Sequence, residues 1–339
     1  MLELEKIKKV DTEKMYQVYD DWPKIAEKHI TKKTSQIDIK DVDHIVFVGM
    51  GGSGTIGDIL SSVLSKTEIH CTVVKGYVLP KTVDKNTLVV STSISGNTDE
   101  TLSITKLLLK NNCHSVSFSS GGMLEKFSKN NNLPYYNIEK IHSPRASLVG
   151  YLFSIINVLN QILPITQSEI YDSLSRLKTI SKKINSTNLS DTNTSLQLAY
   201  WIKQIPLIYY PAGLHSSAIR FKNSLQENSK SHVIIENVIE TCHNGIVSWE
   251  KQSNVQPILL QGTDDNIKTI ERWKILKDFF EKKQIDYFDI FSVDGGILSK
   301  IICLIYQFDF VSIYNAVIND INPTPVNSID YIKSKLHSL

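Results

Sequence analysis

The chain has 339 residues, more than one core of ordinary size and enough for two domains. Apolar residues make up 41% and charged residues 21%, the balance of a globular protein, and the formal net charge is only +2. Lysines are scattered rather than gathered in a basic block, so composition argues against nucleic acid and against a membrane surface as partners.

In chain order, residues 1–10 are charged and helical in character, unlike a signal peptide, and residues 12–30 carry an amphipathic helical pattern. A polar stretch, 31–43, follows. Apolar strands at 45–48, 69–74, 87–90, 114–118 and 134–136 then alternate with helices at 53–64, 98–109 and 122–129. Continuous apolar strands between helices predict a parallel sheet covered on both faces. A long helix is expected over 145–163, beginning at Arg145. A stretch rich in Ser, Asn and Thr with helical pieces, 167–194, reads as a crossover into the second half. Strands at 206–210, 257–261 and 287–291 and helices at 216–228, 267–283, 297–319 and 328–336 complete the chain.

The expected fold class is therefore α/β, in two domains spanning 1–165 and 166–339, each a parallel sheet flanked by helices. No apolar run approaches the ~20 residues that a membrane span needs. Cys71, Cys113, Cys242 and Cys303 form no C-x-x-C pair and no zinc-finger spacing, which fits free thiols in a reducing cytosol.

Two loops carry the chemistry. Gly49-Met50-Gly51-Gly52-Ser53-Gly54 joins a strand to a helix, where glycines let the backbone approach a ligand and the helix N-terminus favours an anion. Gly49, Gly51 and Gly54 also satisfy the dinucleotide pattern G-x-G-x-x-G. That pattern asks for an acid roughly 20 residues on, and the matching strand end reads Val73-Val74-Lys75-Gly76. In the second loop an apolar strand runs into Ser93, Ser95, Gly96 and Thr98 before a helix. Helix capping accounts for one hydroxyl there. Three together at the carboxyl end of a strand suit a dianionic phosphate, and the lack of a loop lysine excludes the P-loop pattern.

Ser93-Ile94-Ser95-Gly96-Asn97-Thr98, continued by Glu100-Thr101, resembles the signature of the sugar isomerase (SIS) domain. With the first glycine loop, the chain is similar to the bifunctional phosphoglucose/phosphomannose isomerases best represented in archaea. An aromatic residue is common in that family where Ile94 stands. The resemblance implies two flavodoxin-like SIS domains and interconversion of glucose 6-phosphate, and mannose 6-phosphate as well, with fructose 6-phosphate through a cis-enediol. It implies a hexose 6-phosphate held by Gly52, Ser53, Ser93, Ser95 and Thr98, and a homodimer; no cofactor and no metal are expected, and the free thiols suit a cytoplasmic location.

Aldose–ketose isomerisation needs a base, a group that helps open the ring, and a cation beside the enediolate. Glu227 lies near a helix end, where a carboxylate opposes the dipole; by itself it reads as a solvated glutamate. The resemblance makes it the base. His243, in Cys242-His243-Asn244, titrates near neutrality, and the resemblance assigns it to ring opening in the partner subunit's site. Arg145, after Ser143-Pro144, is implied to face the enediolate with a fixed charge. Lys333 is implied as the ring-opening lysine, with Lys335 competing. Glu240 and His243 have the spacing of a metal pair but no second pair to complete a site. Two other readings stay open: a phosphosugar-binding regulator without catalysis, and, with less support, a dinucleotide-dependent enzyme.

Overall fold

The computed structural model describes residues 2–336. Three short helices open the chain: α1 (Leu4–Val10), α2 (Met15–Asp20) and α3 (Trp22–Thr31). The first falls in the segment read as helical in character, and the other two replace the single helix expected over 12–30. Lys14 adopts a left-handed backbone (φ 59°) before α2, and Pro23 stands in the first turn of α3, so the path breaks twice.

The first sheet is built from β1 (His44–Val48), α4 (Gly51–Leu64), β2 (His70–Val74), β3 (Thr87–Ser93), α5 (Asp99–Leu107), β4 (His114–Ser119), α6 (Gly122–Asn130) and β5 (Tyr135–Asn137). Its five strands are all parallel in the order β2-β1-β3-β4-β5. This is the flavodoxin order, and the chain reverses direction across the sheet between β1 and β3. Every residue of β1 and β3 is buried, as expected for central strands covered on both faces.

Helix α7 (Leu148–Val158) starts three residues after Arg145, which corrects the expectation that Arg145 opens the helix. Helix α8 (Gln167–Ile184) runs through much of the expected crossover; a capping box between Thr166 and Glu169 fixes its start. The second half continues with α9 (Thr194–Trp201), β6 (Ile205–Tyr210), α10 (His215–Asn228), β7 (Ile234–Asn237), α11 (Val238–Thr241), β8 (Val255–Gln261), α12 (Ile267–Lys282), β9 (Phe288–Phe291), α13 (Ile297–Ile318) and α14 (Asn327–Leu336). Its four strands are parallel in the order β7-β6-β8-β9. The α/β class and the two parallel sheets match the sequence reading; α9, β7 and α11 were not anticipated.

One apolar core joins the two sheets. Phe221 of α10 stacks on Phe308 of α13 at 4.1 Å, and Trp22 of α3 meets Tyr306 of α13 at 5.6 Å. Helix α13 overturns one expectation. It has 22 residues, and an 18-residue stretch of it has a mean hydropathy of 1.7, enough by length and composition to cross a membrane, yet that stretch is almost wholly buried inside the protein. A helix apolar on all sides suits a protein core equally well. Buried Asp309 faces buried Arg220 of α10, whose Nη2 reaches it at 2.7 Å, so the helix carries a charged pair into that core.

Candidate active site

The reversal between β1 and β3 opens a crevice at their carboxyl ends, where open α/β sheets bind ligands. Both glycine loops lie there. Gly51 takes φ +53° at the start of α4, and Gly96 takes φ +72°, conformations that side chains rarely adopt. The Ser53 hydroxyl accepts from the Ile94 amide at 3.3 Å and so ties the two loops together. Ser93 Oγ and Thr98 Oγ1 are 2.8 Å apart, and Ser95 Oγ accepts from the Asn97 amide at 3.3 Å. Ser53 and Ser93 are buried within the loops, Ser95 is exposed, and Thr98 and Gly52 are partly so. At the dinucleotide checkpoint β2 ends at Val74, and Lys75 follows and pairs with Asp58 at 2.6 Å.

A turn absent from the sequence reading buttresses the second loop. Ser120 Oγ donates to the Ile94 carbonyl at 2.7 Å, and the Met123 amide donates to Asn97 Oδ1 at 2.9 Å. This Ser120–Gly121–Gly122 turn follows β4.

Helices α4 and α10 lie against each other, and Ser62 of α4 donates to Ser216 of α10 at 3.2 Å. Gly51 stands eleven residues before Ser62, and Glu227 eleven after Ser216. At about 1.5 Å of rise per residue, antiparallel packing brings the glycine loop and Glu227 to the same end of the pair. Arg145 bridges that end. A Cβ on Gly52 would sit 3.4 Å from Arg145 Cα, while Arg145 Nη1 lies 3.4 Å from Glu227 Oε2.

Arg145 is buried, and protein oxygens hold the rest of its guanidinium. Nε donates to Asn228 Oδ1 at 2.7 Å, and Nη2 donates to the carbonyls of Pro323 and Thr324 at 2.7 and 2.9 Å. Lys230 Nζ donates to the carbonyls of Glu227 and Pro325 at 2.5 and 2.7 Å. Loss of hydration and the neighbouring Arg145 charge hold the Lys230 ammonium below lysine's usual range, with Glu227 opposing them. Glu227 and Lys230 line a cleft of about 610 Å³ together with Val326, Asn327, Ser328 and Ile329. The cleft is of a size that takes a small ligand.

Lys333 lies one turn beyond Ile329 on α14, so it shares the helix face that borders the cleft. Lys335 instead lies over the Tyr331 ring at 5.8 Å. His243 is elsewhere in the same protomer. It is exposed and follows β7 and α11, at the carboxyl edge of the second sheet. Helix α10 starts from that edge and runs back, so Glu227 is at the opposite one. Glu240, its possible metal-pair companion, accepts from Asn244 Nδ2 at 2.8 Å.

Comparison with known proteins decides the family. The description "Bacterial phospho-glucose isomerase C-terminal SIS domain" matches residues 191–336. A bifunctional phosphoglucose/phosphomannose isomerase of Caldicellulosiruptor bescii is 31% identical over 332 residues, covering 94% of this chain and 97% of the relative. This chain belongs to the bifunctional phosphoglucose/phosphomannose isomerase family. Among solved structures, a hypothetical protein of Thermus thermophilus superposes with a TM-score of 0.73 at 14% identity, covering 98% of this chain and 93% of the other. The tagatose-6-phosphate ketose/aldose isomerase of Escherichia coli gives a TM-score of 0.65 at 13% identity, covering 95% of each. These likenesses share the fold of two SIS-type sheets.

Within this isomerase, the structure unites Arg145, Glu227 and the first glycine loop, and sets Lys333 on the cleft's border. Sequence reasoning passed over Asn228 and Lys230, although both stand beside Glu227 in the segment that carried the resemblance. The Pro323 and Thr324 carbonyls had no signal to offer, because a backbone oxygen leaves no mark on residue type.

Proposed function

We propose that the chain isomerises hexose 6-phosphates between aldose and ketose forms, taking glucose 6-phosphate and mannose 6-phosphate to fructose 6-phosphate through a cis-enediol. The observation that carries this reading is the Arg145–Glu227 pair, with Nη1 3.4 Å from Oε2: Arg145 lies against Gly52 of the first glycine loop, and Glu227 lines the cleft. A carboxylate next to a fixed cation is what proton transfer through an enediolate requires.

In this account the loops at Gly52, Ser53, Ser93, Ser95 and Thr98 hold the phosphate. Lys333 and His243 of the partner subunit open the ring, moving the anomeric hydroxyl proton to the ring oxygen as the C1–O5 or C2–O5 bond breaks. Glu227 then lifts the proton from C2 of the open aldose. Arg145 stabilises the negative charge that develops on the substrate oxygens, and Glu227 returns its proton to C1 while the proton of the C2 hydroxyl passes to O1, giving the ketose with its C2 carbonyl and C1 hydroxyl. His243 at the far edge of the second sheet cannot meet Glu227 of its own protomer, which supports a homodimer with shared sites. We place the enzyme in the cytoplasm.

A coupled assay of the purified chain on fructose 6-phosphate, reading glucose 6-phosphate and mannose 6-phosphate separately, tests the reading. Formation of both products is expected. Binding of fructose 6-phosphate without any product would instead favour a phosphosugar sensor.

A further inference from the structure

Arg145 presents one guanidinium nitrogen to Glu227 because the other two are occupied. The Nε–H bond to Asn228 Oδ1, at 2.7 Å, fixes the plane of the group. Asn228 is fully buried, and its amide has a defined orientation: Nδ2 donates to Ser312 Oγ at 2.8 Å, and Ser312 Oγ donates to the Asp309 carbonyl at 2.7 Å. Turned over, the amide would set its NH2 against the Nε–H, donor against donor, and would face Ser312 with an oxygen whose only available proton is already given away. Ser229 Oγ, next along the chain, donates to the Ser312 carbonyl at 2.9 Å and holds the helix end to α13.

We propose that Asn228 is a positioning residue for the isomerisation, acting through Arg145. This rests on the isomerase reading above. Asn228 touches no substrate. It holds the guanidinium so that Nη1 meets the developing enediolate while Nε and Nη2 stay bound to protein oxygens. A neutral acceptor is what the task requires. A carboxylate would bind Nε as well but would draw on the charge that the enediolate needs. Ser312 belongs to the same device, because it selects the amide rotamer that offers oxygen to Arg145.

The test compares Asn228→Ala, Asn228→Asp and Ser312→Ala with the wild type and Glu227→Gln, in the full chain, by steady-state kinetics on fructose 6-phosphate and by thermal melting. Asn228→Ala is expected to lower kcat by about tenfold to a hundredfold with KM within about twofold, the size of effect a misplaced catalytic group produces. Asn228→Asp, which keeps an oxygen for Nε, is expected to recover part of that loss, and Ser312→Ala to lower kcat by a few-fold. A folded Asn228→Ala with wild-type kcat overturns the proposal. Should that variant melt before assay, unchanged kcat in both Asn228→Asp and Ser312→Ala overturns it equally. An inactive wild type would sink the isomerase reading, and a fully active Glu227→Gln would sink the assignment of Glu227 as its base. An active wild type with a dead Glu227→Gln and a normal Asn228→Ala would sink this inference alone.

Discussion

Gly96 and Gly121 approach so closely that a Cβ on Gly96 would run into the Gly121 carbonyl oxygen, and Gly96 also holds φ +72°. Two separate strand ends are thus locked into one loop cluster at the crevice. Gly96→Ala is expected to distort that cluster, raising KM for fructose 6-phosphate by about tenfold or more and lowering the melting temperature by several degrees. Gly76→Ala is the control. A Cβ there meets nothing within 4 Å, and both quantities should stay at wild-type values. Equal kinetics for the two variants would remove the phosphate-loop assignment.

The buried Arg220–Asp309 pair ties α10 to α13 directly behind Arg145. Arg220 donates through Nε and Nη2 to the two carboxylate oxygens at 2.9 and 2.7 Å, and a second proton of Nη2 reaches the Arg145 carbonyl at 2.9 Å. Removing one partner strands the other charge in the core. Asp309→Ala should therefore cost about 3–5 kcal/mol in denaturant unfolding. The double variant Arg220→Met/Asp309→Leu should recover much of that loss, because neither charge is left unpaired. A mild effect of Asp309→Ala would show that the pair contributes little to the helix packing.

Acid stability should depend on His29. Its Nδ1 lies 2.7 Å from Ser154 Oγ, and its ring packs on Gly150. Burial, with help from Lys28 and Lys32, pushes its pKa from 6.5 down to about 4. Between those values the unfolded chain binds the proton that the folded chain refuses. The stability held above about pH 6.5 is therefore lost as pH falls toward about 4, with little further change from this group below that. The full shift corresponds to roughly 3 kcal/mol. His29→Gln, which cannot titrate, should flatten melting temperature against pH over that window. A wild-type slope in the variant would exclude His29 as the source.

Subunit mixing tests the reach of His243. Glu227→Gln and His243→Ala should each be nearly inactive alone. In a mixed dimer one of the two sites combines an intact Glu227 with an intact His243, so random mixing should restore about a quarter of wild-type activity. No recovery in a verified mixed dimer would place both residues in one protomer's site.

The sheets were legible because their strands are continuous apolar runs bounded by turn residues, and the glycine loops because φ > 0 and close approach demand one residue type. Strand β7 was not. Ile234-Ile235-Glu236-Asn237 is four residues long and neither alternates nor runs apolar throughout, so only its pairing with β6 reveals it. The split among the N-terminal helices turns on the backbone of Lys14, a residue type that gives no warning of a left-handed conformation. A helix was expected to begin at Arg145, yet the chain makes a further turn first, and the guanidinium is held by Asn228 and by the carbonyls of Pro323 and Thr324. At the site, the family resemblance named Glu227 and Arg145 as candidates, whereas residue type alone read Glu227 as a solvated glutamate. Their meeting depends on the antiparallel packing of α4 and α10 and on carbonyls at Pro323 and Thr324, which are properties of the folded chain alone.

The most direct measurement is the steady-state isomerisation of fructose 6-phosphate by the wild type and by Glu227→Gln, matched in folding by thermal melting. Glu227→Gln keeps the shape of the cleft and removes only the base. The account predicts a loss in kcat of about 10²-fold to 10⁴-fold with KM within about threefold. A folded Glu227→Gln that turns over at the wild-type rate would contradict it.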